Sequence, residues 1–128
     1  MDIIEEQYVS FETAKLLKEK GFNVATSTFY NPKKDLNVHV NSCKICYNAA
    51  SVYFSAPTQA MACRWLREKH NLHIEIQFGR YEGKTWFSAN IIPMDDRYLI
   101  TDDNFLIEHP TYEDALEYSI KYCLEHLI

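Results

Sequence analysis

A chain of 128 residues that is 47% hydrophobic and 14% aromatic has the size and apolar content of one domain with its own core. That composition excludes intrinsic disorder, and 3 Gly with 4 Pro leave no flexible linker or low-complexity tract. The net charge is −5, with seven Lys/Arg against six Asp/Glu in residues 1–64 and six against twelve in residues 65–128. An acidic chain offers little to a phosphate backbone, so nucleic acid is not the expected partner.

The start, "MDIIEEQYVS", lacks the basic and apolar regions of a signal peptide. No apolar run approaches the ~20 residues needed to span a bilayer. The expected location is therefore the cytoplasm, with no membrane partner, and the cysteines are expected as thiols. Ser10 suits a helix cap before "FETAKLLKEKGF", where Phe11, Ala14 and Leu17 share one face and Gly21 stops the helix. "NVATSTFYNPKKD" reads as loop or a short strand broken at Asn31 and Pro32. "LNVHV" alternates apolar with polar, and "SVYFS" is rich in β-branched and aromatic residues, so both are expected strands.

Pro57 and Thr58 open a second helix, "TQAMACRWLREKHN", with Met61, Ala62, Trp65 and Leu66 as its buried stripe. The clearest strand follows. In "LHIEIQF", Leu72, Ile74, Ile76 and Phe78 alternate with His73, Glu75 and Gln77. "TWFSANIIP" is joined to it through Glu82 and Gly83, a pair suited to a two-residue hairpin turn. If Tyr81 pairs with Lys84, then Phe78 faces Phe87, Ile76 faces Ala89 and Ile74 faces Ile91 on one side. The other side pairs Gly79 with Trp86, Gln77 with Ser88, Glu75 with Asn90 and His73 with Ile92. A slip of one residue would destroy that sorting.

"MDDRYLITDDNFLIEHP" reads as turn, short strand, turn, short strand. In the last helix Thr111 and Asp114 approximate a capping box. Tyr112, Ala115, Leu116, Ile120, Cys123, Leu124 and Leu127 give it an apolar face. The expected fold is a single α+β domain over residues 1–128. It has three helices on a mainly antiparallel sheet of four to five strands, in the order α-β-β-α-β-β-(β)-α.

Cys43 and Cys46 stand at the spacing of zinc knuckles, but a site needs two more ligands. His70 and His73 fit neither the finger nor the ribbon spacing. Cys63 and His70 are two helical turns apart, about 10 Å along the axis. A dithiol redox site is less favoured, because the residues after Cys46 do not open a long helix. Cys63 and Cys123 read as packing residues. The acidic pairs Asp95/Asp96 and Asp102/Asp103 read as turn chemistry. No cofactor is expected, and zinc on Cys43 and Cys46 is the minor alternative.

No catalytic residue stands out, since nothing pairs a nucleophile with a base at a known spacing. The candidate binding surface is the polar sheet face: His73, Glu75, Gln77, Trp86, Ser88 and Asn90. An aromatic anchor with polar neighbours suits recognition of another protein. A small-molecule enzyme with His73 or Glu75 as acid or base is the other alternative, and it needs a concave pocket beside that face.

"YVSFETAKLLKEKGF", "SAPTQAMACRWLREKHNLHIEI" and "TYEDALEYSIKYCLEHL" together resemble a family of small uncharacterised proteins encoded on bacteriophages and integrated mobile elements of gut anaerobic bacteria. The resemblance covers about half the chain and excludes Cys43 and Cys46. It implies a phage or prophage origin and a shared fold, and it carries no activity.

Overall fold

Ser10 accepts a 3.2 Å hydrogen bond from the Thr13 N–H and starts α1 (Phe11–Glu19). The helix ends in a Schellman motif: Gly21 N–H donates to Lys18 O at 3.2 Å and Phe22 N–H to Leu17 O at 2.9 Å. Gly21 takes φ +89°, a conformation that a side chain would strain. The computed structural model describes residues 4–39, 44–95 and 107–128. Contacts within the chain gather into two units, Met1–Met61 and Ala62–Ile128.

In the first unit, β1 (Thr28–Tyr30) is the central strand of an antiparallel sheet between β2 (Leu36–Val38) and β3 (Phe54–Ser55). The segment read as loop or short strand thus supplies the middle of the sheet. Phe11 of α1 stands edge-on to Tyr30 and Phe54, with ring centroids 5.6 and 5.2 Å apart. On the other side Phe29 stacks on Tyr47 at 4.2 Å. Val9, Ala14, Leu17, Phe22 and Ala56 are fully or almost fully buried. The Lys18 ammonium donates to Ala50 O at 2.6 Å and Tyr53 O at 2.8 Å, and lies 4.8 Å over the Phe54 ring.

Two expected strands of this unit are shorter than read. "SVYFS" contributes only Phe54 and Ser55. Before it a 3₁₀ turn, Tyr47–Ala49, carries Asn48, whose amide donates to Phe22 O at 2.7 Å. The same side chain accepts the Ser55 N–H at 2.8 Å, so a side chain holds backbone that the strand reading gave to the ladder. "LNVHV" is a strand at Leu36–Val38, where Leu36 and Val38 are 43% and 61% exposed and Asn37 is half-buried. Its alternation is real, with the apolar side turned outward.

α2 (Gln59–His70) ends at Asn71, which takes φ +53° and turns the chain straight into β4 (Leu72–Tyr81). Glu82 (φ +47°) and Gly83 (φ +77°) form a type I′ turn into β5 (Lys84–Pro93). All ten pairs, from Tyr81 with Lys84 to Leu72 with Pro93, follow the register expected from the turn and the alternation.

The apolar face is buried at its base, where Leu72, Ile74, Ala89 and Ile91 are at most 8% exposed. It opens toward the turn, where Phe78 is 59% exposed. α3 (Tyr112–Tyr122) covers this face. Thr111 Oγ1 caps it by accepting the Asp114 N–H at 3.0 Å, and the Tyr112 ring meets Phe87 edge-on at 6.2 Å. Ala115, Leu116, Ser119 and Ile120 are its buried residues, and Cys123 and Leu124 just beyond it are buried as well. Tyr112, expected on the buried face, is 47% exposed at the mouth of that contact.

The chain ends in a π-helical turn, Cys123–Leu127. Of the stretch 94–110, expected as turn, short strand, turn, short strand, residues 96–106 lie outside the described residues. Just after them His109 bridges to Phe87 with two 2.8 Å backbone bonds. The fold is α+β, with three α-helices and two antiparallel sheets of three and two strands among the described residues.

Candidate functional site

Strict alternation along β4 and β5 puts His73, Glu75, Gln77, Trp86, Ser88 and Asn90 on the hairpin's polar face. The face is in two halves. On β4 it is open: Glu75 and Gln77 are exposed, and the Gln77 amide donates to Glu75 Oε1 at 2.9 Å. Trp86, half-buried, lies flat over Gly79, the one position in β4 without a side chain to obstruct it. The Lys84 ammonium stands 5.8 Å from the centre of the indole and also pairs with Glu108 at 2.7 Å. Glycine here is a seat for tryptophan, and lysine fixes its outer rim.

Along β5 beyond Trp86, and at His73 at the start of β4, the face is closed. Ser88 is 9% exposed, His73 and Asn90 are half-buried, and Asn90 Oδ1 is buried without a hydrogen-bond partner among the described residues. The open surface is therefore Glu75, Gln77 and Trp86, with Lys84 as a neighbour that was not among the expected residues of the face. Its position beside Trp86 follows from the turn, since Lys84 is the first residue after it on the same face.

A second aromatic surface was not singled out from the sequence. Tyr118 and Tyr122 stack at 6.4 Å, Tyr122 meets His126 at a tilt at 4.6 Å, and His109 meets Tyr118 at a tilt at 5.1 Å. The signal was the four-residue spacing of Tyr118, Tyr122 and His126, which places them in one row on the helix. A shallow depression of about 250 Å³ lies beside this row, lined by Tyr118, Lys121, Tyr122, Glu125 and His126. Another, of about 200 Å³ in the first unit, is bordered by Tyr8, Thr26, Thr28, Lys44 and Thr58 among others. Its threonine hydroxyls serve the fold: Thr26 Oγ1 donates to Thr28 O at 2.7 Å, and Thr58 Oγ1 accepts the Met61 N–H at 3.1 Å. Neither depression is lined by a residue of the hairpin's polar face.

Of the candidate zinc pair, Cys43 lies outside the described residues and Cys46 is half-buried. Asp96, Asp102 and Asp103 also lie outside them. Among the described residues no group of three His, Cys, Asp or Glu side chains stands close enough to hold a metal ion. Cys63 and Cys123 are buried thiols, as packing residues should be. Burial pushes the Cys63 thiol up to about 11, with Arg67 drawing it down and Glu117 raising it again. It is a neutral thiol at physiological pH.

Among the described residues no helix is long and apolar enough to cross a membrane. Comparisons with protein-family models, with curated proteins and with solved structures find no match to the chain.

Proposed function

We propose that the chain is a non-enzymatic interaction domain that binds another protein through the open half of the hairpin's polar face. The carrying observation is the seat of Trp86: a half-exposed indole held flat over Gly79 and flanked by Lys84. A ring so held loses little freedom on binding, and tryptophan is among the residues in which interface hot spots are enriched. The reading places the protein in the cytoplasm of a bacterial host, with the mobile-element origin its sequence resembles.

A pull-down from lysate of a gut anaerobe, with wild type and a Trp86→Ala/Glu75→Ala variant as baits, tests it. At least one protein held by the wild type should be lost from the variant. A hot-spot loss of about 2 kcal/mol weakens binding roughly 30-fold. Identical sets of captured proteins would remove this face as the binding surface.

A further inference from the structure

The hairpin has two edges. On β5 the N–H and C=O of Phe87 both bond to His109, so at Phe87 these groups point away from β4. Phe78 faces Phe87, and in an antiparallel ladder such a pair exchanges no hydrogen bonds. By alternation, the backbone groups of Ile74, Ile76, Phe78 and Arg80 point outward from the other edge. Among the described residues no strand pairs with that edge. The edge carries few of the usual defences: β4 holds no proline, no lysine and no bulge through ten consecutive pairs, and its charged residues are Glu75 and Arg80. Its outer part is open, with Phe78 59% and Tyr81 69% exposed.

We propose that this edge of β4 pairs with β4 of a second copy of the chain, antiparallel about a two-fold axis at Ile76, making one continuous four-stranded sheet. The outward groups belong to alternate residues, so only alternate registers can form hydrogen bonds with both faces kept in line. Centring the axis on Glu75 would set two carboxylates directly opposite, a repulsive pair. Centring it on Gln77 or Phe78 would bring Arg80 opposite Ile74 or Ile76, a guanidinium in the middle of an apolar face.

Centring on Ile76 avoids both. Ile76 then faces its own copy, Ile74 faces the partner's Phe78, and Arg80 moves to the end of the overlap opposite Leu72. The exposed Phe78 ring gains an apolar neighbour. On the other face Glu75 lies opposite the partner's Gln77. Gln77 already gives one amide N–H to its own Glu75 at 2.9 Å, and the second N–H is placed for the partner's carboxylate. Two amides and two carboxylates thus alternate around the axis, with the carboxylates on the diagonal. A surface that satisfies itself in this way is what a two-fold interface requires.

Purified chain alone, without any other protein, is the sample. Sedimentation from about 1 to about 200 µM should show the mass doubling with concentration. Amide exchange at Ile76 and Phe78 should slow as dimer forms, while that of Gln77, bonded within the hairpin, stays constant. Phe78→Pro removes one outward N–H and no hairpin bond, and Phe78→Lys adds a charge to the edge; each should weaken association at least ~10-fold. A monomer at every concentration overturns the proposal. So does a dimer in which exchange at Ile76 and Phe78 is independent of concentration.

Discussion

Gly79→Ala separates two effects of similar size. A methyl group on Gly79 would stand 2.5 Å from Cζ2 of Trp86 and closer still to Cε2 and Nε1. Carbon atoms settle about 3.5–4.0 Å apart, so the indole must move by at least ~1 Å. The ring is half-buried on a sheet face, and the low-cost movement is outward. If about 50 Å² of its surface is re-exposed, the cost is about 1.3 kcal/mol at ~25 cal/mol per Å². Alanine in a strand returns about 0.5–1 kcal/mol by restraining the unfolded chain. The net change in stability is therefore under ~1 kcal/mol, too small to be the best measurement.

The environment of Trp86, by contrast, changes outright. The assay is tryptophan emission and iodide quenching in a Trp65→Phe background, where Trp86 is the remaining one of the 2 tryptophans. Gly79→Ala should shift emission to the red and raise quenching. An unchanged spectrum with a clear gain in stability would refute the seat, because it would mean that the indole does not rest on Gly79.

Two further outcomes follow from the fold. Asn48→Ala leaves the Phe22 carbonyl and the Ser55 N–H without the side chain that holds them, and should cost about 2–3 kcal/mol in urea unfolding; a loss below ~0.5 kcal/mol would show that the turn does not depend on it. Cys63 ionises near 9.0 when unfolded and near 11 when folded. Its contribution is therefore complete below the unfolded value and is lost as pH rises from 9.0 toward 11. Thermal unfolding over that range should fall more steeply for wild type than for Cys63→Ala, and equal slopes would contradict the assigned cause.

The hairpin was legible because two independent signals agreed. Glu82 and Gly83 fixed the turn, and strict alternation on both arms fixed the faces, leaving one register. The helices were legible from their caps and stripes: Ser10 and Thr111 both accept the N–H three residues on. The first sheet was not, for reasons visible in particular residues. β1 is three residues long and is held by partners from distant sequence: the Tyr30 hydroxyl donates to Val9 O at 2.6 Å, and Ala56 N–H donates to Thr28 O at 3.0 Å. Such pairings leave no periodic trace within a short window. The π-helical turn after α3 likewise comes with no change in apolar spacing to mark it.

For the polar face, sequence gave membership and could not give cover. Alternation sorts side chains to one side or the other, but what lies above a sheet is decided by tertiary packing. Hence Glu75 and Ser88 carry the same pattern signal, and the folded chain exposes one and buries the other. Gly79 was the exception, since an empty position opposite a large ring declares its purpose in the register alone.

That register also sets which genetic changes the segment from Leu72 to Pro93 can absorb. Exchanging one letter for another alters a single contact, whereas deleting one codon within β5 transposes every residue beyond it. Loss of Phe87, for example, would carry Ser88 and Asn90 onto the side that α3 covers and turn Ala89 and Ile91 to the opposite one. Length here can change only in balanced sets, two residues added to or removed from each arm beside the turn, so that the turn still closes a hydrogen-bonded pair. Over this stretch the reading frame of the pleat is held more tightly than the identity of most residues in it.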